Sequence, residues 1–288
     1  MFRNKGGRVA TQVIKFGTDG WRAIIGKEFT DENVAILSQA VADYVKSTVS
    51  GRTPKVVVGY DARFRSEDFA AIAAEILAAN GIFVILANDY VPTPAVSFYC
   101  KYNDCDLGVM ITASHNPPQY NGYKLKSSDG GSADTDITGA VEKLLGRSPV
   151  KTMALEEAAK QNLVSVEDIT AGYLAFIKKY VDVDMIKKLN MRVLVDLMYG
   201  SGRDFIAQAL TGTGSNIKVD YLRAERNPSF GGVNPEPIEK NLQPLLEAMK
   251  TGKYDLGVAL DGDADRIAIV LKGGRYIGAQ LLVPLLAV

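Results

Sequence analysis

Ser114 and His115 stand side by side in Gly108 to Lys126, GVMITASHNPPQYNGYKLK, immediately after an apolar run. That run, Leu107 to Ile111, reads as a buried strand, and in open α/β sheets ligands bind at the carboxyl ends of strands. A serine hydrolase is the first chemistry to test, and it fails. His115 is the only histidine, and adjacent side chains rarely reach the geometry of a Ser-His-Asp triad. Ser114 is therefore reactive by another route, or unreactive. A lone histidine is commonly a satisfied loop residue, but between Ser114 and the rigid Asn116-Pro117-Pro118 the expectation is that His115 contacts substrate or phosphate.

Asp261, Asp263 and Asp265 occupy alternate positions in DGDADR, straight after the apolar run Leu256 to Leu260. In an extended loop a spacing of two turns all three carboxylates to one side, and a divalent cation is the common remedy for their repulsion. The spacing is not that of an EF-hand: Arg266 stands where glycine is required and Lys272 where the bidentate acid is required. Oxygen-only ligands favour one Mg²⁺, its shell finished by waters or a phosphate oxygen. A phosphate on Ser114 could supply that oxygen. Two other readings stay open on these residues alone. One is an acidic surface turn with capping aspartates. The other is a haloacid-dehalogenase type of phosphatase, with Asp261 as nucleophile and Asp263 as acid/base, although that signature wants threonine or valine at Asp265 and leaves the Ser114 loop without a part.

Candidates to bind phosphate or move protons flank these loops. Phe16 to Gly26, FGTDGWRAIIG, ends a polar turn in Arg22, and arginine grips phosphate bidentately while glycines allow close backbone approach. Lys124 is a candidate proton-transfer group. Lys126 is a candidate phosphate contact, with the solvated surface as its commoner setting. In GYDARFRS, Arg63 and Arg65 are expected to be structural, pairing with Asp61. Gly200 and Gly202 lack the third glycine of a dinucleotide fingerprint, and no GxxxxGK[ST] occurs. Nucleotide binding is not supported.

The chain has 288 residues, with 33 Lys plus Arg against 33 Asp plus Glu. That length suggests two domains, and the balanced charge gives no global field toward nucleic acid or an anionic membrane. Cys100 and Cys105 are too few for a disulfide framework and, with one histidine, cannot complete a zinc site. The basic start has no signal-peptide core, and no apolar run approaches the ~20 residues that span a bilayer. A soluble, cytoplasmic protein is expected.

The elements that must position these loops alternate between strand and helix. A helix is expected from Thr30 to Ser47, capped by Thr30 or Asp31, followed by strand Lys55 to Gly59, helix Ser66 to Asn80, strand Ile82 to Ala87, a helix after Thr93, and strand Leu107 to Ile111. Polar helical segments follow, Asp136 to Leu145 and Leu155 to Gln161. A second series runs through a helical stretch Tyr173 to Tyr180, strand Arg192 to Asp196, a helix from Gly202, strand Ile217 to Leu222, helix Ile238 to Thr251 and strand Leu256 to Leu260. Two consecutive three-layer α/β/α domains with mixed, largely parallel sheets are expected, at 1–160 and 161–272. Pro228, Pro235 and Pro237 mark a rigid, irregular connection. The apolar segment 273–288 reads as the start of a third domain that stops short, so the chain is expected to be a fragment whose exposed apolar face could self-associate.

Taken together these motifs resemble the α-D-phosphohexomutase superfamily, the phosphoglucomutases and phosphomannomutases. TASHNPPQYNGYK is similar to its phosphoserine loop, DGDADR to its metal loop, and FGTDGWR to its amino-terminal catalytic turn. The resemblance implies that Ser114 carries the phosphoryl group exchanged with a hexose phosphate through a sugar bisphosphate such as glucose 1,6-bisphosphate. It implies that Asp261, Asp263 and Asp265 hold Mg²⁺ with a Ser114 phosphate oxygen. Lys124 and Arg22 match positions implicated in proton transfer or its support, Arg266 follows the metal loop as in the family, and His115 and Asn116 would line the reacting centre. The superfamily's third-domain Gly-Glu-x-Ser-Gly pattern and fourth-domain Arg-x-Ser-Gly-Thr loop are absent. The expectation is therefore a phosphoglucomutase/phosphomannomutase half, inactive by itself, with phosphoglucosamine mutase as the alternative and an aspartate-nucleophile phosphatase behind it.

Overall fold

The computed structural model describes residues 14–211 and 214–287, so most of the basic amino-terminal stretch lies outside the described residues. The chain divides into two compact units, one of residues 1–113 and 119–169, the other of residues 114–118 and 170–288.

The first unit is built on a six-stranded sheet of β1 (Trp21–Ile24), β2 (Lys55–Tyr60), β3 (Phe83–Ala87), β4 (Leu107–Ile111), β5 (Tyr120–Ser127) and β6 (Val164–Glu167), in the order β1-β5-β4-β2-β3-β6. Strands β4, β2, β3 and β6 are parallel, whereas β5 runs antiparallel to both β4 and β1. Past Lys55 and Phe83, the partly buried first residues of β2 and β3, the central strands are apolar and buried, as a sheet covered on both faces requires.

Helix α1 (Asp31–Thr48) begins as expected: the Thr30 side chain accepts from Asn33 N, Asp31 and Glu32 fill the first turn, and Val34, Leu37, Val41 and Val45 are buried. With α2 (Ser66–Ala79), α3 (Thr93–Tyr102), α4 (Thr135–Leu144) and α5 (Leu155–Lys160) it completes the helical layers. Trp21 stacks on Phe29, and Phe29 meets Phe69 edge-on, tying β1 to α2.

The first unit reaches Ile169, past the division expected at 160, because β6 pairs in parallel with β3. Only four residues long, with Val166 exposed, β6 is too short for its apolar–polar alternation to be legible as a strand. Arg65 corrects a second expectation. It stands in the left-handed region just before α2 and pairs with Asp31 and Asp68, leaving Asp61 to Arg63.

The second unit holds α6 (Ala171–Tyr180), α7 (Val183–Lys187), β7 (Arg192–Asp196), α8 (Phe205–Thr211), β8 (Lys218–Leu222), α9 (Gln243–Lys250), β9 (Leu256–Leu260), β10 (Ile267–Leu271), β11 (Arg275–Ile277) and α10 (Ala279–Leu286). Its sheet runs β11-β10-β9-β7-β8, with β9, β7 and β8 parallel and the β10–β11 hairpin antiparallel. The expected helix 238–251 is broken: a short 3₁₀ turn covers Glu239–Asn241, and α9 starts at Gln243, where Pro244 suits a first turn. Residues 275–277 pair with β10, so they belong to this sheet rather than lying beyond it. On α10, Leu281, Val283, Leu285 and Leu286 are exposed.

The two sheets share a plan. In each, a parallel strand (β4 or β9) is followed in the chain by its antiparallel neighbour in the sheet (β5 or β10). The Ser114 loop is the first of these connections, and the DGDADR loop is the second.

Candidate functional site

Within the second unit the serine loop and the acidic loop are in contact. Ser114 Oγ donates to Asp261 Oδ2 at 2.9 Å, and both residues are buried. The backbones are as close as the side chains: a Cβ at Gly262 would lie 2.5 Å from Ser114 O. Ser114 has φ +54° and Ala264 φ +54°, a conformation that is costly for non-glycine residues and collects at functional sites.

The acidic loop folds around its first carboxylate. Asp261 Oδ1 accepts from Asp265 N at 3.0 Å and from Arg266 N at 3.1 Å. Asp261, Asp263 and Asp265 each present a carboxylate oxygen within 4.8 Å of the others. Burial pushes the Asp261 carboxyl well above its ordinary value, and the neighbouring Asp263 and Asp265 charges push it further. Three converging carboxylates with no nitrogen or sulfur donor among them suit a hard divalent cation such as Mg²⁺.

Two segments to which the sequence assigned no part in the site, the proline-rich connection and the Gly200 turn, support this loop from behind. Gly262 N donates to Pro235 O, and Ser201 N donates to Gly262 O. Gly200 packs so tightly that an added Cβ would fall 2.8 Å from both Asp261 O and Gly262 O. The glycine at 200 is thus required by contact with the acidic loop, a role that its failure as a dinucleotide fingerprint concealed.

Arg266 and His115 also meet here, Arg266 Nη1 lying 2.8 Å from His115 Nδ1. A guanidinium only donates, so Nδ1 is the acceptor and the imidazole proton sits on Nε2. Ser114 Oγ lies 3.5 Å from the same nitrogen, so the hydroxyl and the Arg266 guanidinium both face His115 Nδ1. Asn116 lies half-buried in the same loop.

The remaining candidates gather in the first unit around Asp19. Lys124 Nζ lies 2.6 Å from Asp19 Oδ2, with the lysine side chain 1% exposed. Arg22 Nη2 stands 3.5 Å from the same carboxylate, and Ser132 Oγ donates to Asp19 Oδ1 at 3.1 Å. Lys126 is buried and bonds Ser132 Oγ at 3.1 Å, which corrects the expectation of a solvated lysine. The β1–β5 pairing sets Arg22 opposite Gly122, and β4–β5 sets Lys124 opposite Met110. Burial tends to raise the Asp19 carboxyl, but the Lys124 charge and hydrogen bond, then Lys126 and Ser132, outweigh it and the net shift is downward. Asp19 itself escaped the sequence reading, although it lies inside the FGTDGWR turn.

Two α/β/α units of mixed sheet, with polar loops following the parallel strands β4 and β9, define a phosphohexomutase-type fold. Models of the family match both units: "Phosphoglucomutase/phosphomannomutase, alpha/beta/alpha domain I" over residues 13–149 and the corresponding domain II over residues 171–274. The chain belongs to the phosphoglucomutase/phosphomannomutase family. It is 36% identical over 262 residues to a phosphoglucomutase/phosphomannomutase of Thermococcus kodakarensis, covering 91% of this chain and 56% of that protein. It is 35% identical over 261 residues to a phosphoglucosamine/phosphogalactosamine mutase of Sulfurisphaera tokodaii, covering 90% of this chain and 55% of that one. A Thermus thermophilus structure assigned as a phosphomannomutase superposes with a TM-score of 0.83 at 36% identity, covering 91% of this chain and 58% of the other. The chain thus spans about half the length of the curated relatives it matches. No helix among the described residues is long and apolar enough to cross a membrane.

Proposed function

We propose that this chain carries the phosphoserine and metal-binding part of a phosphohexomutase, an intramolecular phosphotransferase that interconverts hexose 1-phosphate and hexose 6-phosphate of glucose or mannose. The observation that carries this reading is the hydrogen bond from Ser114 Oγ to Asp261 Oδ2, made beside two further carboxylates. In one half-reaction the phosphorus–oxygen bond at Ser114 breaks while a sugar hydroxyl oxygen bonds to phosphorus, and the hydroxyl proton is returned to Ser114 Oγ. In the other, Ser114 Oγ attacks the second phosphate of the sugar bisphosphate, whose sugar oxygen leaves and is reprotonated. Asp261, Asp263 and Asp265 would hold one Mg²⁺, which when bound offsets negative charge on the phosphoryl oxygens in transfer.

Lys124, held by Asp19, is assigned the proton transfer, and Arg22 its electrostatic support. Lys126, through Ser132, braces Asp19. Arg266, His115 and Asn116 are assigned to orienting phosphate oxygens. An aspartate-nucleophile phosphatase is disfavoured because Asp261 is buried and both its oxygens already accept hydrogen bonds. Glucosamine phosphate remains the sibling substrate, since relatives of similar identity carry both names. The buried free thiols Cys100 and Cys105 suit a cytoplasmic, reducing setting.

The test is the half-reaction. Incubation with glucose 1,6-bisphosphate and Mg²⁺ should add one phosphate to the intact mass, peptide mapping should place it on Ser114, and Ser114→Ala should abolish it. Labelling that survives Ser114→Ala but is lost in Asp261→Asn would overturn the assignment in favour of the phosphatase.

A further inference from the structure

In both sheets, chain that follows the neighbouring parallel strand braces the chain leading into a loop that bears the chemistry. In the second unit the brace is the Gly200 turn after β7. In the first it is a polar network after β2, centred on an ion pair between Asp61 and Arg63, with Arg63 Nε 3.2 Å from Asp61 Oδ2 and neither side chain exposed. Buried ion pairs are an inefficient source of stability, because well-packed apolar residues commonly do as well. What such a pair supplies is direction, through fixed donors and acceptors.

The bonds of this network lead to the chain entering and leaving the Ser114 loop. On the entering side, Asp61 N donates to Ile111 O at 3.0 Å, and Thr112 Oγ1 donates to Asp61 Oδ2 at 2.6 Å. On the leaving side, Arg63 Nη1 donates to Tyr120 O at 3.1 Å, and Asn121 Nδ2 donates to Ser66 Oγ at 2.9 Å. Ser66 Oγ in turn donates to Asp61 Oδ1 at 2.7 Å, closing the circuit. Thr112 N donates to Gly122 O at 2.9 Å, so the two stems are also tied to each other. The loop between them, residues 114–118, groups with the second unit.

We propose that Asp61 and Arg63 are positioning residues for phosphoryl transfer, clamping both stems of the Ser114 loop and thereby fixing the direction of Ser114 Oγ. The inference rests on the reading of Ser114 as phosphoryl carrier. Misplacement by about 1 Å costs on the order of a hundredfold in rate, so slack in the stems reaches the chemistry without any contact between Arg63 and substrate.

The test compares Arg63→Lys, Asp61→Asn, Thr112→Val and Thr112→Ser with Val141→Ala, a core truncation on α4 that lowers stability elsewhere in the first unit. Two quantities are read: hydrogen exchange at the Thr112 and Gly122 amides, and the rate of Ser114 phosphorylation by glucose 1,6-bisphosphate with Mg²⁺. Arg63→Lys, Asp61→Asn and Thr112→Val should lose protection at those amides and slow phosphorylation about tenfold or more. Thr112→Ser, which keeps the hydroxyl, should restore both, and Val141→Ala should change neither beyond its loss of global stability. Should the charge variants fail to fold, the two Thr112 variants decide alone. Retained protection at both amides, or an equal slowing in Val141→Ala, overturns the proposal. If the unaltered protein takes no phosphate, the functional reading falls, while the exchange data still decide whether the network holds the stems.

Discussion

Ser114 Oγ and Asp261 Oδ2 lie 2.9 Å apart although 147 positions separate the two residues in the chain. The contact joins the connection after β4 to the connection after β9, and it places a serine hydroxyl at the rim of three mutually repelling carboxylates. A cation bound only by the folded protein stabilises it in proportion to the logarithm of its excess, by about 2.7 kcal/mol at a hundredfold excess over Kd. Urea unfolding should therefore shift to higher midpoint as MgCl₂ is raised. Asp263→Asn should reduce that shift strongly, and Asp265→Asn should do so while slightly stabilising the metal-free protein by removing one like charge. A midpoint indifferent to Mg²⁺ in the unaltered protein would remove the case for a metal at these three residues.

Asp19 and Lys124 predict a pH dependence. The Asp19 carboxyl is held below its usual 3.8 despite burial, chiefly by Lys124. A carboxyl whose value is lower in the folded than in the unfolded state binds fewer protons when folded. Its contribution is complete above about 3.8 and is lost as pH falls through the folded value. Lys124→Met removes the pull and leaves the burial, so Asp19 should titrate at higher pH and the first unit should unfold at higher pH on acidification. Carboxyl chemical shifts of Asp19 across an acid titration check this directly, and an unmoved titration would separate the two residues.

Gly200 and Gly139 should respond to alanine in opposite senses. A Cβ at Gly200 collides with two backbone oxygens of the acidic loop at 2.8 Å, and forced repacking of this kind costs about 1–3 kcal/mol. The same displacement should weaken Mg²⁺ binding. At Gly139, inside α4, an added Cβ meets nothing within 4 Å, so Gly139→Ala should stabilise by about 0.5–1 kcal/mol. Denaturant midpoints for the pair, read beside Mg²⁺ affinity, distinguish a local steric effect from a general intolerance of substitution.

Arg223 and Asp196 are the second unit's buried pair. Arg223 Nε donates to Asp196 Oδ1 at 2.8 Å, a second nitrogen of the guanidinium reaches Oδ2, and Asp196 also accepts from Met198 N. Arg223→Met would leave the carboxylate buried without its cation, a change that costs about 3–5 kcal/mol. A loss below about 1 kcal/mol on urea unfolding would mean that solvent reaches Asp196 when the arginine is gone.

Local pattern was enough for much of this molecule. The runs Leu107 to Ile111, Arg192 to Asp196 and Leu256 to Leu260 become strands with those same bounds, because the middle of a strand buried on both faces must be apolar, as Val193 to Val195 is between Arg192 and Asp196. Thr30 marked the start of α1 because its hydroxyl satisfies an amide that the helix cannot. The residues able to do the chemistry were also legible, since a serine next to a lone histidine and aspartates at a spacing of two are properties of the chain itself. The edge strands β1, β6 and β11 were not, being three or four residues long and stabilised by pairing with neighbours that their own sequence does not name.

What the sequence by itself determined was the set of reactive side chains and the alternation of elements that carries them. The pairing of those side chains was decided only by tertiary structure. Asp19 against Lys124, Arg266 against His115 and Ser114 against Asp261 depend on strand order and loop closure, which bring together groups that no local propensity relates. The same holds for Asp61 and Arg63. Their neighbourhood in sequence announces an ion pair, but only the packing of β2 against β4 gives that pair the stems of the Ser114 loop to hold.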